Sequence, residues 1–157
     1  MTDVTFIADP QSPKTSKEAI QEFESQLGMR LPDEYRNYLL QHNGALPIKL
    51  DYWMPGEKNW IESVHEMYAL LSTDHPRSIR QFLIEDYGVP SGWLPIANSG
   101  YGDFTVISLL EEDFGEIYYL FHEVHGYDPT ERKRGVYKLA SSFTEWINGL
   151  EDLSDHR

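Results

Sequence analysis

The chain has 157 residues, 40% of them hydrophobic, enough to bury a substantial core and close to the common size of one domain. Its 26 Asp and Glu against 13 Lys and Arg leave a formal net charge of −13, which repels phosphate backbones and anionic membranes and argues against nucleic-acid or membrane binding. Cysteine is absent, which removes disulfides, thiolate catalysis and cysteine-type zinc sites.

In chain order, residues 1–13 are polar with two prolines and are expected to fray, as are residues 152–157, leaving a single domain over residues 14–151. The first residues carry no basic-then-apolar leader, and no run of about 18 apolar residues follows, so the expectation is a soluble cytoplasmic protein. Thr15 and Glu18 have capping-box spacing. Ile20, Phe23 and Leu27 then share one face of a helix, with Gln21, Glu22, Glu24 and Ser25 left to solvent, until Gly28 supplies a left-handed stop. A second helix opens at Pro32, with Asp33 and Glu34 against its positive end. It aligns Tyr35, Tyr38, Leu39 and His42 on one face and stops at Asn43-Gly44.

Asp51-Tyr52-Trp53-Met54-Pro55-Gly56 reads as a loop. Between Ser78 and Tyr87 the helical spacing of Ile79, Phe82 and Leu83 predicts another helix, closed by Gly88. Trp93–Ala97 and Phe104–Leu109, separated by the turn Asn98–Asp103, form a hairpin. A second turn, Glu111–Gly115, leads to the aromatic, β-branched strand Ile117–His122. Ser142 and Glu145 repeat the capping-box spacing and open a helix with Phe143, Trp146, Ile147 and Leu150. Helices set apart from consecutive strands mean an α+β fold, a mostly antiparallel mixed sheet flanked by about four helices.

The signals for chemistry are weak. His122 and His125 are three apart after a strand, not four apart on a helix as the zinc-protease signature requires, so no metal is expected. Gly100-Tyr101-Gly102 lacks the third glycine and the following helix of a phosphate loop, so no cofactor is expected either. Glu111, Glu112, Asp113 and Glu116 crowd one turn without the alternation of a calcium loop; they are a solvated hairpin tip or a partner-binding patch. Trp53 and Trp60 are loop aromatics that either anchor an interface or fold over their own core. Arg132-Lys133-Arg134 reads as a solvated loop tip.

The ordered set Ile20, Phe23, Leu27-Gly28, Leu31-Pro32, Tyr35, Leu39, Asn43-Gly44 and Pro47 continues with Trp93-Leu94-Pro95-Ile96, Gly100, Gly102-Asp103, Ile117-Tyr118-Tyr119 and Phe143, Trp146, Leu150. Together these residues resemble the SUKH superfamily, which includes fungal regulators of cell-wall synthesis and many bacterial immunity proteins. Residues 50–75 and the charged loop 125–138 depart from the resemblance. It implies a non-catalytic protein-binding domain, an immunity protein that occludes the active cleft of a basic, possibly nuclease, toxin. The alternative it leaves is a scaffold or regulator of an endogenous protein in signalling or cell-wall control. A hydrolase built on His122 and a nearby acid would need a pocket that the sequence does not show. The candidate partner-binding residues are Trp53, Trp60, Tyr101, Asp103, Glu111, Glu112, Asp113 and Glu116, with no catalytic, cofactor or metal residue, and the chain is expected as a monomer or weak homodimer.

Overall fold

The first helix, α1 (Lys17–Leu27), is set by local chemistry at both ends. The Ser16 hydroxyl accepts a hydrogen bond from the Ala19 N–H at 3.1 Å, and Gly28, at φ 72°, donates its N–H to the Glu24 carbonyl. The cap is thus Ser16 and not Thr15. Glu18 falls in the first turn, where its charge meets the helix dipole instead of closing a capping box. Ile20 and Phe23 are fully buried, as their spacing requires. These coordinates are a computed structural model that describes residues 4–8, 13–72, 75–83, 88–121 and 135–156.

Glu24, expected in solvent, turns instead into the corner between the first two helices. One carboxylate oxygen accepts the Leu31 N–H at 2.7 Å and the other lies 3.5 Å from the Arg36 guanidinium. Helix α2 (Asp33–His42) follows Pro32 and buries Tyr35, Tyr38 and Leu39. Its C-terminal Asn43 does more than stop a helix. The Asn43 side chain accepts the Leu70 N–H at 2.8 Å and donates to the Leu70 carbonyl at 3.3 Å and to the Pro13 carbonyl at 2.7 Å.

The strands are β1 (Phe6–Ile7), β2 (Leu46–Pro47), β3 (Asp51–Trp53), β4 (Ile61–Ser63), β5 (Glu66–Met67), β6 (Trp93–Asn98), β7 (Phe104–Ser108), β8 (Ile117–Leu120) and β9 (Val136–Ala140). Strands β5 to β9 form one antiparallel sheet in chain order, while β1 pairs with β2 and β3 with β4 in two small antiparallel ribbons. Helix α3 (Phe143–Asn148) is capped by the Ser142 hydroxyl, which accepts the Glu145 N–H at 3.1 Å. Residues of all three helices join Leu94, Ile96, Ile107, Ile117 and Tyr119 in the main core. The alternate positions Trp93, Val106, Tyr118 and Leu120 form a second, smaller cluster on the other face of the sheet.

The fold is α+β, but the described residues hold three α-helices where about four were expected. The fourth is a 3₁₀ segment, Ile79–Leu83, with residues 84–87 outside the described residues. Its start is tied down: the Ser78 hydroxyl donates to the Leu71 carbonyl and accepts the Leu71 and Arg80 N–H groups, and the Ile79 N–H bonds to the Ala69 carbonyl. Ile79 and Phe82, three apart, suit a three-residue turn as well as an α-helix. The segment read as a loop at Asp51 contains β3, whose alternation of buried Tyr52 and exposed Trp53 is too short a run to outweigh Pro55-Gly56 in sequence.

Within the terminal segments expected to fray, Phe6 stacks on the His42 ring at 4.2 Å and Leu153 is buried, its N–H donating to the Asp51 carboxylate at 2.9 Å. Both ends of the described chain therefore contribute to packing.

Two substitutions probe this frame. Asn43→Ala strands a buried N–H and two carbonyls and is expected to lower the unfolding free energy by about 3 kcal/mol in urea denaturation. Tyr35→Phe removes a buried hydroxyl that has no partner among the described residues and is expected to leave stability unchanged or raise it by about 1 kcal/mol.

Candidate interaction surface

Strand direction decides which of the sequence-predicted residues can act together. In the antiparallel order, the turn between β6 and β7 and the end of β8 lie at one end of the sheet, and the turn between β7 and β8 lies at the other. Five residues of β7 at about 3.3 Å each separate the two ends by roughly 15 Å. Trp53, Trp60, Tyr101 and Asp103 therefore belong to one end, and Glu111, Glu112, Asp113 and Glu116 to the opposite one.

At the first end, only two of the four residues are exposed. Tyr101 is 79% exposed and Trp53 39%, with the His156 ring set edge-on against Trp53 at 5.6 Å. Trp60 folds over the core: its ring meets Tyr119, Phe121 and Tyr137 edge-on, and its indole N–H donates to Glu62 at 2.7 Å. Asp103 is 2% exposed and accepts a hydrogen bond from the Tyr119 hydroxyl. This carboxylate serves the interior, not a partner. The Tyr119 and Tyr52 hydroxyls are pushed well above the usual phenol range, first by burial. For Tyr119 the bond to Asp103 adds to the shift; for Tyr52 the nearby Glu62 charge does.

The acidic turn at the other end also divides. Asp113 is buried and accepts hydrogen bonds from the Ser108 hydroxyl at 2.5 Å and the Tyr118 hydroxyl at 2.7 Å. Glu116 shares the single Tyr118 hydroxyl proton with Asp113, its carboxylate oxygen lying 2.5 Å from that hydroxyl, and pairs with Lys138 at 2.9 Å. Burial and these two carboxylates push the Tyr118 hydroxyl well above the phenol range. Glu111 and Glu112, on the intervening 3₁₀ turn, stay exposed. In sequence the four acids look alike; the structure makes two of them fasteners and leaves two on the surface.

The exposed pair has neighbours that sequence reasoning did not connect with it. A Cβ on Gly115 would lie 3.8 Å from the Pro32 side chain, and the Arg30 guanidinium sits 5.2 Å from the Phe114 ring centre. The turn thus abuts the α1–α2 corner, where Asp33 and Glu34 are also exposed. Phe114, 37% exposed amid acids, is the sequence signal that went unread.

On the same side runs a half-open groove of about 440 Å³, walled by Leu27, Met29, Leu83, Val89, Pro90 and Trp93. The histidines His122 and His125 and the basic run Arg132–Arg134 lie outside the described residues. Among the described residues no helix is long and apolar enough to cross a membrane.

Residues 14–149 match the SMI1 / KNR4 family (SUKH-1), and the chain belongs to that family. It is also similar to the SPbeta prophage-derived uncharacterized protein YokK of Bacillus subtilis (strain 168), at 25% identity over 87% of this chain and 75% of that protein.

The division of carboxylates makes two expectations. Asp103→Ala, which leaves the buried Tyr119 hydroxyl unpaired, is expected to cost about 1–3 kcal/mol of stability, whereas Glu111→Ala and Glu112→Ala stay within about 0.5 kcal/mol; thermal melts compare them. Tyr52, Tyr118 and Tyr119 are raised above 10.0 in the folded state, so their contribution to stability is fully present below pH 10.0 and is lost as pH rises further, because the unfolded chain ionises first. Their phenolate absorbance should therefore appear together with cooperative alkaline unfolding, not before it.

Proposed function

We propose that this domain binds and neutralises a protein partner without catalysing a reaction, as an immunity protein whose exposed acidic turn meets the basic cleft of a toxin. The observation that carries the reading is the outward placement of Glu111 and Glu112 beside Asp33 and Glu34, in a chain whose net charge is −13. Opposite potentials steer encounter and favour a partner built to hold a polyanion. Family membership is consistent with this role, and the similar protein of Bacillus subtilis is prophage-derived. The inhibitor would act in the cytoplasm, covering the toxin's cleft with acidic side chains while buried Asp113 and Tyr118 and half-buried Glu116 hold the turn in shape.

Co-expression with the product of an adjacent toxin gene tests the proposal: growth is expected to be rescued by this chain, and a toxin that kills equally in its presence overturns it. With purified partners, association is expected above the roughly 10⁵–10⁶ M⁻¹s⁻¹ of unsteered pairs and to fall with salt. The double variant Glu111→Lys/Glu112→Lys should slow association by about tenfold with little change in dissociation. The same charge reversal at Glu18 and Glu22 on α1 should do less.

A further inference from the structure

The groove is joined to the acidic turn by direct contacts. Its wall includes Leu109 and Gly92. Leu110, the next residue after Leu109, packs its side chain on the Gly92 backbone, and Glu111 follows at once. Gly92, at φ 93°, has no room for a Cβ there, so the close approach of groove wall and turn is built into the backbone. On the opposite wall Met29 is followed by Arg30, whose guanidinium covers Phe114 of the same turn. An apolar channel thus opens beside exposed Glu111, Glu112, Asp33 and Glu34. The nearby guanidinium groups are already engaged: Arg30 with Phe114, Arg36 with Glu24 and Asp33, and Arg80 with Gln26 on the groove wall. Leu83, on one wall, is 37% exposed, and Val89 and Pro90 are half-buried.

We infer that this groove is the docking site for an extended segment of a protein partner in which a leucine- or phenylalanine-sized side chain is flanked by lysine or arginine. The apolar side chain fills the channel between Leu83 and Met29 and is desolvated there, while the flanking cations reach Glu111 and Glu112. Charge chooses the occupant. An acidic amphipathic segment would fit the channel equally well by shape but would set like charges against the exposed Glu111 and Glu112. The inference rests on the proposed binding function and adds to it where the partner is gripped. The acidic turn sets the speed of encounter and the groove sets the lifetime of the complex.

The test uses the whole chain and three synthetic fluorescein-labelled peptides of equal length: lysine-flanked with a central Leu-Phe pair, lysine-flanked with serines at the centre, and glutamate-flanked with the Leu-Phe pair. Fluorescence anisotropy should show saturable binding of the first, about tenfold or more tighter than the second, and none of the third. Leu83→Asn, at an exposed position, should weaken the first peptide by about tenfold and leave the serine peptide unchanged, with Ile48→Asn on the distant β2 side as a control without effect. Val89→Asn supplies a second groove variant, and thermal melts confirm that each variant is folded. Equal binding of the first two peptides, or indifference of the first to both groove variants, overturns the groove as a site. Failure of all three peptides to bind does the same. None of these outcomes bears on rescue from a toxin, so the groove can fail while the immunity reading stands, and the reverse.

Discussion

Asn43 is the fastening on which the surface geometry depends. Its side-chain amide bonds both the N–H and the carbonyl of Leu70, as a neighbouring strand would, and reaches back to Pro13. That clamp fixes the end of α2 to the long connection between β5 and β6. Arg77 adds to it by donating to the Gly44 and Met67 carbonyls at 3.0 and 3.1 Å. From there the chain has little choice: Ser78 ties to Leu71, the 3₁₀ segment follows, and Phe82 and Leu83 arrive against α1 as one wall of the groove. A buried amide pays its desolvation only when every polar atom is matched, and here the matched atoms belong to three separate stretches of chain.

The acidic residues show how one composition serves two purposes. Asp103 and Asp113 are buried and take hydroxyl donors from Tyr119 and Tyr118, while Glu24 holds the Leu31 N–H at the helix corner. These carboxylates replace lost hydration with short hydrogen bonds, which is one way a buried carboxylate is tolerated. Glu111 and Glu112 have no such burial and are free to contribute field and contact at the surface. Net charge therefore overstates the charge available to a partner, and its placement matters more than its sum.

Membership of the SMI1 / KNR4 family (SUKH-1) explains the scaffold and leaves the partner to be read from the surface. The helices cover one face of the sheet, and exposed Tyr101, Glu111, Glu112 and Phe114 lie on turns at its two ends. A rigid framework with its exposed chemistry confined to connections is suited to recognition, because turns tolerate change that a core would not.

What the sequence by itself determined is what local rules control. Helix faces at Ile20, Phe23, Tyr35, Tyr38 and Leu39, the left-handed stop at Gly28, the Ser142 cap and the strands around Phe104 and Ile117 follow from periodicity and backbone preference, and all are seen. The family was legible for the same reason, since its marks are those local features in order. Four readings depended on distant partners and needed the tertiary structure. Ser78 pulled an expected helix into a 3₁₀ turn through Leu71, and Trp60, open in sequence between an interface anchor and a core cover, lies over Tyr119 and Phe121. Asp103 and Asp113 were drawn inward by tyrosines sixteen and five residues away. The groove appeared only when residues near 29, 83, 93 and 109 met. Hydrophobic spacing reports which face of an element is buried, but not which element covers it; that is decided when the whole chain matches its polar atoms and fills its volume at once.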